Sequence, residues 1–234
     1  MSPEPAADDF AAQENNQFLW ETRVDFPFGF ALRAELEARA GGNPSWNTGV
    51  DYYRQLARSA DLREVVGLYR AAGLSLRGDL ARLENAPRVA ADPSAVAYLA
   101  QNISFSGHLS VPVLTMHTTG DGLVIPENEQ AYARVVRRAG DSRLLRQVFV
   151  SRAGHCAFTP AETITAVQTL LQRLATGRWD DEALEPGSLN AAAAGLGPAE
   201  NVFQSGSQMV ATLPAFVAFR PDRYLRPFDL PGAP

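Results

Sequence analysis

One stretch limits what this chain of 234 residues can fold into: Val111 to Phe158, VPVLTMHTTGDGLVIPENEQAYARVVRRAGDSRLLRQVFVSRAGHCAF. Val111–Met116 is a short apolar run of the buried-strand type, with Pro112 at its start, where no ladder donor is needed. Thr118–Gly122 reads as the turn after that strand. Pro126–Ala139 has the period of an amphipathic helix, because Ala131, Tyr132, Val135, Val136 and Ala139 fall on one face. Gly140-Asp141 ends it, Leu144–Val150 is a second strand, and Ala153-Gly154-His155 is a second turn. Thr159, Pro160 and Glu162 then combine a cap, a first-turn proline and a capping-box acid. Ile164, Val167, Leu170, Leu171 and Leu174 come next on one face, and Gly177 stops the helix. Two strands joined by a helix predict parallel pairing with a right-handed crossover.

The flanks are of a different kind. Residues 1–17 are polar and rich in Pro and Ala, and read as loose. Phe18–Phe30 is aromatic and expected to be buried, with Phe18, Trp20, Phe26, Phe28 and Phe30 as core or as the lining of an acyl pocket. Helical signals fill the span from Ala31 to Gln101. Among them are Asp61-x-x-Glu64, which resembles a capping box, and Asp92-Pro93, a cap followed by a first-turn proline. Residues 179–234 hold many Gly, Ala, Pro and Ser without clear period, and read as an irregular tail.

Composition removes several function classes. Hydrophobic residues make up 46%, enough for a sizeable core. The net charge is −5 and no cluster of basic residues stands out, which argues against a nucleic-acid partner. No apolar run reaches the roughly 20 residues of a membrane span, and Met1–Phe10 lacks the pattern of a signal peptide. Compartment and oligomeric state are not legible. The single Cys156 excludes an internal disulfide framework and any C-x-x-C site.

In parallel α/β sheets, reactive groups sit beyond the carboxyl ends of the strands. Asp121 and His155 occupy those ends, one strand–helix unit apart. A carboxylate there can accept the imidazole Nδ1–H and so fix the ring for proton transfer. The bland alternatives are an Asx turn for Asp121 and a helix-flanking or buried His155. Glu127 and Asp141 are lesser acid candidates, being a helix start and a turn residue. Cys156 is expected to be small buried filling, since sequence neighbours point apart. His108, His117 and Asp121 match no standard zinc spacing, so no metal and no cofactor are expected. Arg77-Gly78-Asp79 spells an adhesion tripeptide but falls in a helical stretch.

VPVLTMHTTGDGLVIP with SRAGHCAF after it resembles the C-terminal part of an α/β-hydrolase over about residues 107–178. The resemblance implies Asp121 as the catalytic acid after the penultimate strand and His155 as the base after the last. It further implies a final closing helix, and a lid where the preceding helices stand. Members of this family take their nucleophile from an earlier G-x-S-x-G elbow. Ser45, Ser106, Ser205 and Ser207 lack that setting, and the last two come after His155 in the chain. The implied organisation is a mainly helical lid over residues 1–106, the α/β core over 107–178 and a tail over 179–234. The implied function is the C-terminal part of a serine hydrolase, esterase- or peptidase-like, acting on a small-molecule ester or a peptide substrate, and inactive alone for want of its serine. Trp46, Tyr52 and Tyr53 could then face the cleft. The alternative is a non-catalytic α/β binding or interaction protein derived from a hydrolase.

Overall fold

A parallel strand pair needs a crossover long enough to carry the chain back to its starting end, and a helix is the usual one. The computed structural model, which describes residues 9–20, 22–23, 28–29, 32–205 and 208–226, has this arrangement. Strand β1 (Val113–Gly120) pairs in parallel with β2 (Leu145–Ala153) through helix α7 (Glu127–Arg138), and α8 (Pro160–Thr176) comes next. The chain divides into two compact units.

The unit Phe105–Arg223 holds the sheet. Its strand order is β1-β2-β5, where β5 (Phe216–Val217) pairs antiparallel to β2. Val148, Phe149 and Val150 of β2 are all buried, the near-continuous burial of a strand covered on both faces. The core joins Val148 and Val150 to Ala161, to Phe216, and to Leu189 and Ala193 of helix α9 (Pro186–Gly195). The stretch read as an irregular tail thus carries α9, β5 and a separate hairpin of β3 (Val202–Ser205) and β4 (Gln208–Ala211). Side-chain amides replace missing ladder partners there. Asn190 donates to the Phe216 carbonyl and accepts from its N–H, each at 2.8 Å. Asn201 caps the end of α9 by donating to the carbonyls of Ala193 and Gly197.

Helix α8 departs from its periodicity. Its buried face is Ala161, Thr165, Ala166 and Thr169, small residues that let the helix come close to its neighbours. Val167, Leu171 and Leu174 of the expected apolar stripe are each more than half exposed. The helix start is as the residues dictate, with Thr159 and Glu162 forming a reciprocal capping box. Before β1, Gly107 has φ +80, and a Cβ there would lie 2.3 Å from the Val135 carbonyl oxygen of α7. Gly107→Ala should therefore cost about 2–4 kcal/mol, from overpacking added to a left-handed backbone. A chemical-denaturation midpoint unchanged in that variant would refute the tight contact.

The second unit takes in the described residues of Pro5–Ser104 and Tyr224–Pro234. It contains α1 (Phe10–Trp20), α2 (Leu32–Ala40), α3 (Tyr52–Arg58), α4 (Leu62–Ala71), α5 (Leu76–Asn85) and α6 (Pro93–Ile103). Helix α1 occupies part of the segment expected to be loose. Phe18 and Phe28 are 60% and 50% exposed, against the expected burial, and Phe26 and Phe30 lie outside the described residues. Asp61 and Asp92 stand at helix starts without side-chain cap bonds. Each is drawn to another donor, Asp61 to the Ser59 hydroxyl and Asp92 to the Asn43 N–H. Arg77, Gly78 and Asp79 lie within α5.

Candidate active site

The parallel ladder breaks near the carboxyl ends of the strands. Thr118 pairs with Val150 but Gly120 with Ala153, so β2 carries one residue more than β1. Such a bulge bends the strand and re-aims the residues beyond it. Two residues, one on each strand exit, are brought together by it: Asp121 just after β1 and His155 just after β2.

Asp121 is 5% exposed. Its Oδ1 accepts the N–H groups of Leu123 at 2.9 Å and Val124 at 3.0 Å. These bonds fold the loop around the carboxylate and leave Oδ2 for His155, whose Nδ1 lies 2.8 Å away. A carboxylate oxygen only accepts, so the shared proton sits on Nδ1 and the Nε2 lone pair is left available. The His155 side chain is 40% exposed while that of Asp121 is 4% exposed. A buried acid thus holds a partly exposed ring. An imidazole held at one nitrogen by a buried carboxylate, with its other nitrogen unprotonated, has the arrangement needed to take up and give back a proton.

The loop that carries His155 is fastened at both ends. Gly154, at φ +113, donates its N–H to the Gly120 carbonyl at 2.9 Å and accepts the Thr118 hydroxyl at 2.6 Å. On the far side, Arg152 makes two bonds to Glu162, at 2.7 and 3.0 Å, and one to the Ala157 carbonyl at 2.7 Å. Glu162 is fully buried. It also accepts the N–H groups of Thr159 and Ala215. The Arg152–Glu162 fork thereby closes the segment 153–159 into a ring of charge-assisted bonds, the stronger kind of hydrogen bond.

Cys156 differs from expectation. It is exposed and has φ +52, a conformation that side chains with a Cβ rarely adopt. That twist turns the thiol back, and Sγ lies 3.5 Å from His155 Nε2. The expected separation of sequence neighbours applies to extended backbone and fails here.

His117 is nine-tenths buried on β1 and donates from Nδ1 to the Thr118 carbonyl at 2.8 Å. Its Nε2 stands 4.0 Å from Asp121 Oδ2. The other candidates are engaged elsewhere. His108 Nδ1 faces Asp141 at 3.5 Å, and Asp141 also takes the Leu109 N–H. Glu127 is the first residue of α7. Ser45 accepts from Arg33, and Ser106 accepts the His108 N–H. Ser205 ends β3, and Ser207 lies outside the described residues. Within the helical unit, Arg226 covers the Trp46 ring and Arg88 the Tyr52 ring, while the Tyr53 hydroxyl donates to the Arg77 carbonyl. Among the described residues, no cluster of three His, Cys, Asp or Glu is placed to hold a metal ion. No helix among them is long and apolar enough to cross a membrane.

Sequence reasoning passed over Thr118, Arg152 and the second role of Glu162. The capping-box signal did mark Glu162. Its arginine partner had no local signal.

No family model matches this sequence, and no solved structure matches it. It is similar to an o-phthalyl amidase of Xanthobacter agilis, with 33% identity over 196 residues. The match covers 82% of this chain and 43% of that protein, so the chain spans less than half the length of that relative.

Proposed function

We propose that this chain supplies the acid and base of a serine hydrolase of the α/β-hydrolase kind, acting on an amide or ester bond. The observation that carries the reading is the 2.8 Å contact between His155 Nδ1 and the buried Asp121 Oδ2, at neighbouring strand exits. The likeness to an amidase supports it, because hydrolysis of an amide through an acyl-enzyme needs this acid–base pair. In this reading His155 Nε2 takes the proton of a serine hydroxyl as the oxygen attacks the acyl carbon. Asp121 stabilises the imidazolium so formed. His155 then passes that proton to the leaving amine or alcohol. It next takes a proton from the water that releases the acid, and returns it to the serine. The serine comes from polypeptide beyond these 234 residues, as the relative's greater length allows. In this reading the helical unit stands, in chain order, where such hydrolases insert a lid.

The 3.5 Å approach of Cys156 Sγ to Nε2 gives a second reading, in which the thiol itself is the nucleophile. Chemical labelling separates them. A polypeptide extended upstream should take up a single fluorophosphonate on a serine, and Cys156→Ala should leave that uptake intact. Absence of serine labelling in the extended protein sinks the first reading. Rapid alkylation of Cys156 by iodoacetamide, lost in His155→Ala, favours the second.

A further inference from the structure

We propose that Thr118 is a positioning residue for His155, acting through the backbone of Gly154. The inference rests on the reading of His155 as the base. It starts from the broken ladder. Where β2 carries its extra residue, the regular exchange of backbone bonds between the strands stops, and the groups freed there must find other partners. Just past the bulge, one side chain of β1 and one of its backbone carbonyls take hold of Gly154. The Thr118 hydroxyl donates to the Gly154 carbonyl at 2.6 Å, and Gly154 returns its own N–H to the Gly120 carbonyl at 2.9 Å. The residue immediately before His155 is thus gripped at both its polar groups by the end of the strand that delivers Asp121.

Thr118 is 1% exposed, so nothing in solvent competes for its hydroxyl. The Thr118 carbonyl is itself held by His117 Nδ1 at 2.8 Å, which fixes the backbone from which the hydroxyl projects. The two strand exits therefore keep a constant spacing, and the Nδ1–Oδ2 distance is set by it. Gly120 permits this closeness: a Cβ there would come within 3.1 Å of Ala153 Cα. Thr118 touches no reacting atom, and its effect passes through the orientation of the His155 ring. A small misplacement of a catalytic group is enough to slow a reaction strongly.

Thr118→Val keeps the shape and removes the donor, whereas Thr118→Ser keeps the donor. The proton on His155 Nδ1, bonded to Asp121, should give a far-downfield proton NMR resonance in the 234-residue chain. That resonance should be lost in Thr118→Val and kept in Thr118→Ser. In the extended polypeptide, fluorophosphonate labelling should slow by about 10- to 100-fold in Thr118→Val and return toward the unsubstituted rate in Thr118→Ser. A resonance unmoved in Thr118→Val overturns the proposal, as does its loss in Thr118→Ser. If Thr118→Val shows no cooperative thermal transition, Thr118→Ala replaces it under the same two criteria. Failure of the hydrolase reading is seen separately, as absence of labelling in the unsubstituted protein.

Discussion

Asparagine in place of Asp121 should slow acylation by about four orders of magnitude, the size of effect seen when a triad acid loses its charge but keeps its shape. The local bonds say why. Oδ1 of residue 121 is committed to the N–H groups of Leu123 and Val124. An asparagine would keep its carbonyl oxygen on those donors, and its NH2 would then face His155 Nδ1. A donor there forces the ring to carry its proton on Nε2, the nitrogen that accepts one in the proposed mechanism. The fold should survive, because the side chain is isosteric and the loop bonds persist. His155→Ala, which removes the proposed base, should lose at least as much. The check is the rate of fluorophosphonate labelling of the extended polypeptide, with circular dichroism as the control for folding. A loss of less than about tenfold in Asp121→Asn would remove the acid's role from this residue and return attention to Glu127 and Asp141.

The second large effect is on stability. Glu162→Gln should cost about 3–5 kcal/mol, the range for removing one partner of a buried ion pair. Glu162 is fully buried, and the Arg152 side chain is 12% exposed. The carboxylate accepts four hydrogen bonds, two from Arg152 and one each from the Thr159 and Ala215 N–H groups. A glutamine can present an oxygen to one side of this set. Its NH2 then meets donors on the other, and the guanidinium is left without its counter-charge. For a chain of this size each kcal/mol corresponds to about 2–4 °C. A fall in Tm of about 6–20 °C is therefore expected, and a fall under about 3 °C would show that the fork contributes little. Because the fork frames the His155 loop, labelling should also slow in the folded variant.

The parts legible in the sequence were those set by local chemistry. The β1–α7–β2–α8 order comes from period and from punctuation by Gly and Pro. The cap of α8 comes from Thr159, Pro160 and Glu162, residues adjacent enough to read together. The pairing of Asp121 with His155 came from a general rule about strand ends, which needs no knowledge of side-chain packing. The illegible parts depend on distant partners. Arg152 reaches Leu213, and Ala215 reaches Glu162, more than fifty positions apart in each case. Asn190 and Asn201 act as backbone substitutes, a role that no short motif announces. The apolar face of α8 misled because periodicity says which residues share a side, and not which side the neighbours take. Small residues won that contest by allowing closer approach. Cys156 misled because its left-handed backbone reverses the usual divergence of neighbouring side chains.

The segment Leu213–Val217 has a consequence for how such a chain can change over generations. It sends Ala215 N–H to Glu162 and the Ala215 carbonyl to the N–H of Ser151, and it lays β5 against β2. These few residues are thus a strut for the His155 loop, although they lie some sixty positions beyond it. Between β3 and β4, which form a sheet of their own, insertions and deletions should be tolerated. Between Leu213 and Val217 a single lost or gained residue shifts the register on β2 and withdraws a donor from Glu162. Variation in length along this part of the chain should therefore be sharply uneven, permissive at the hairpin and closed a few residues later.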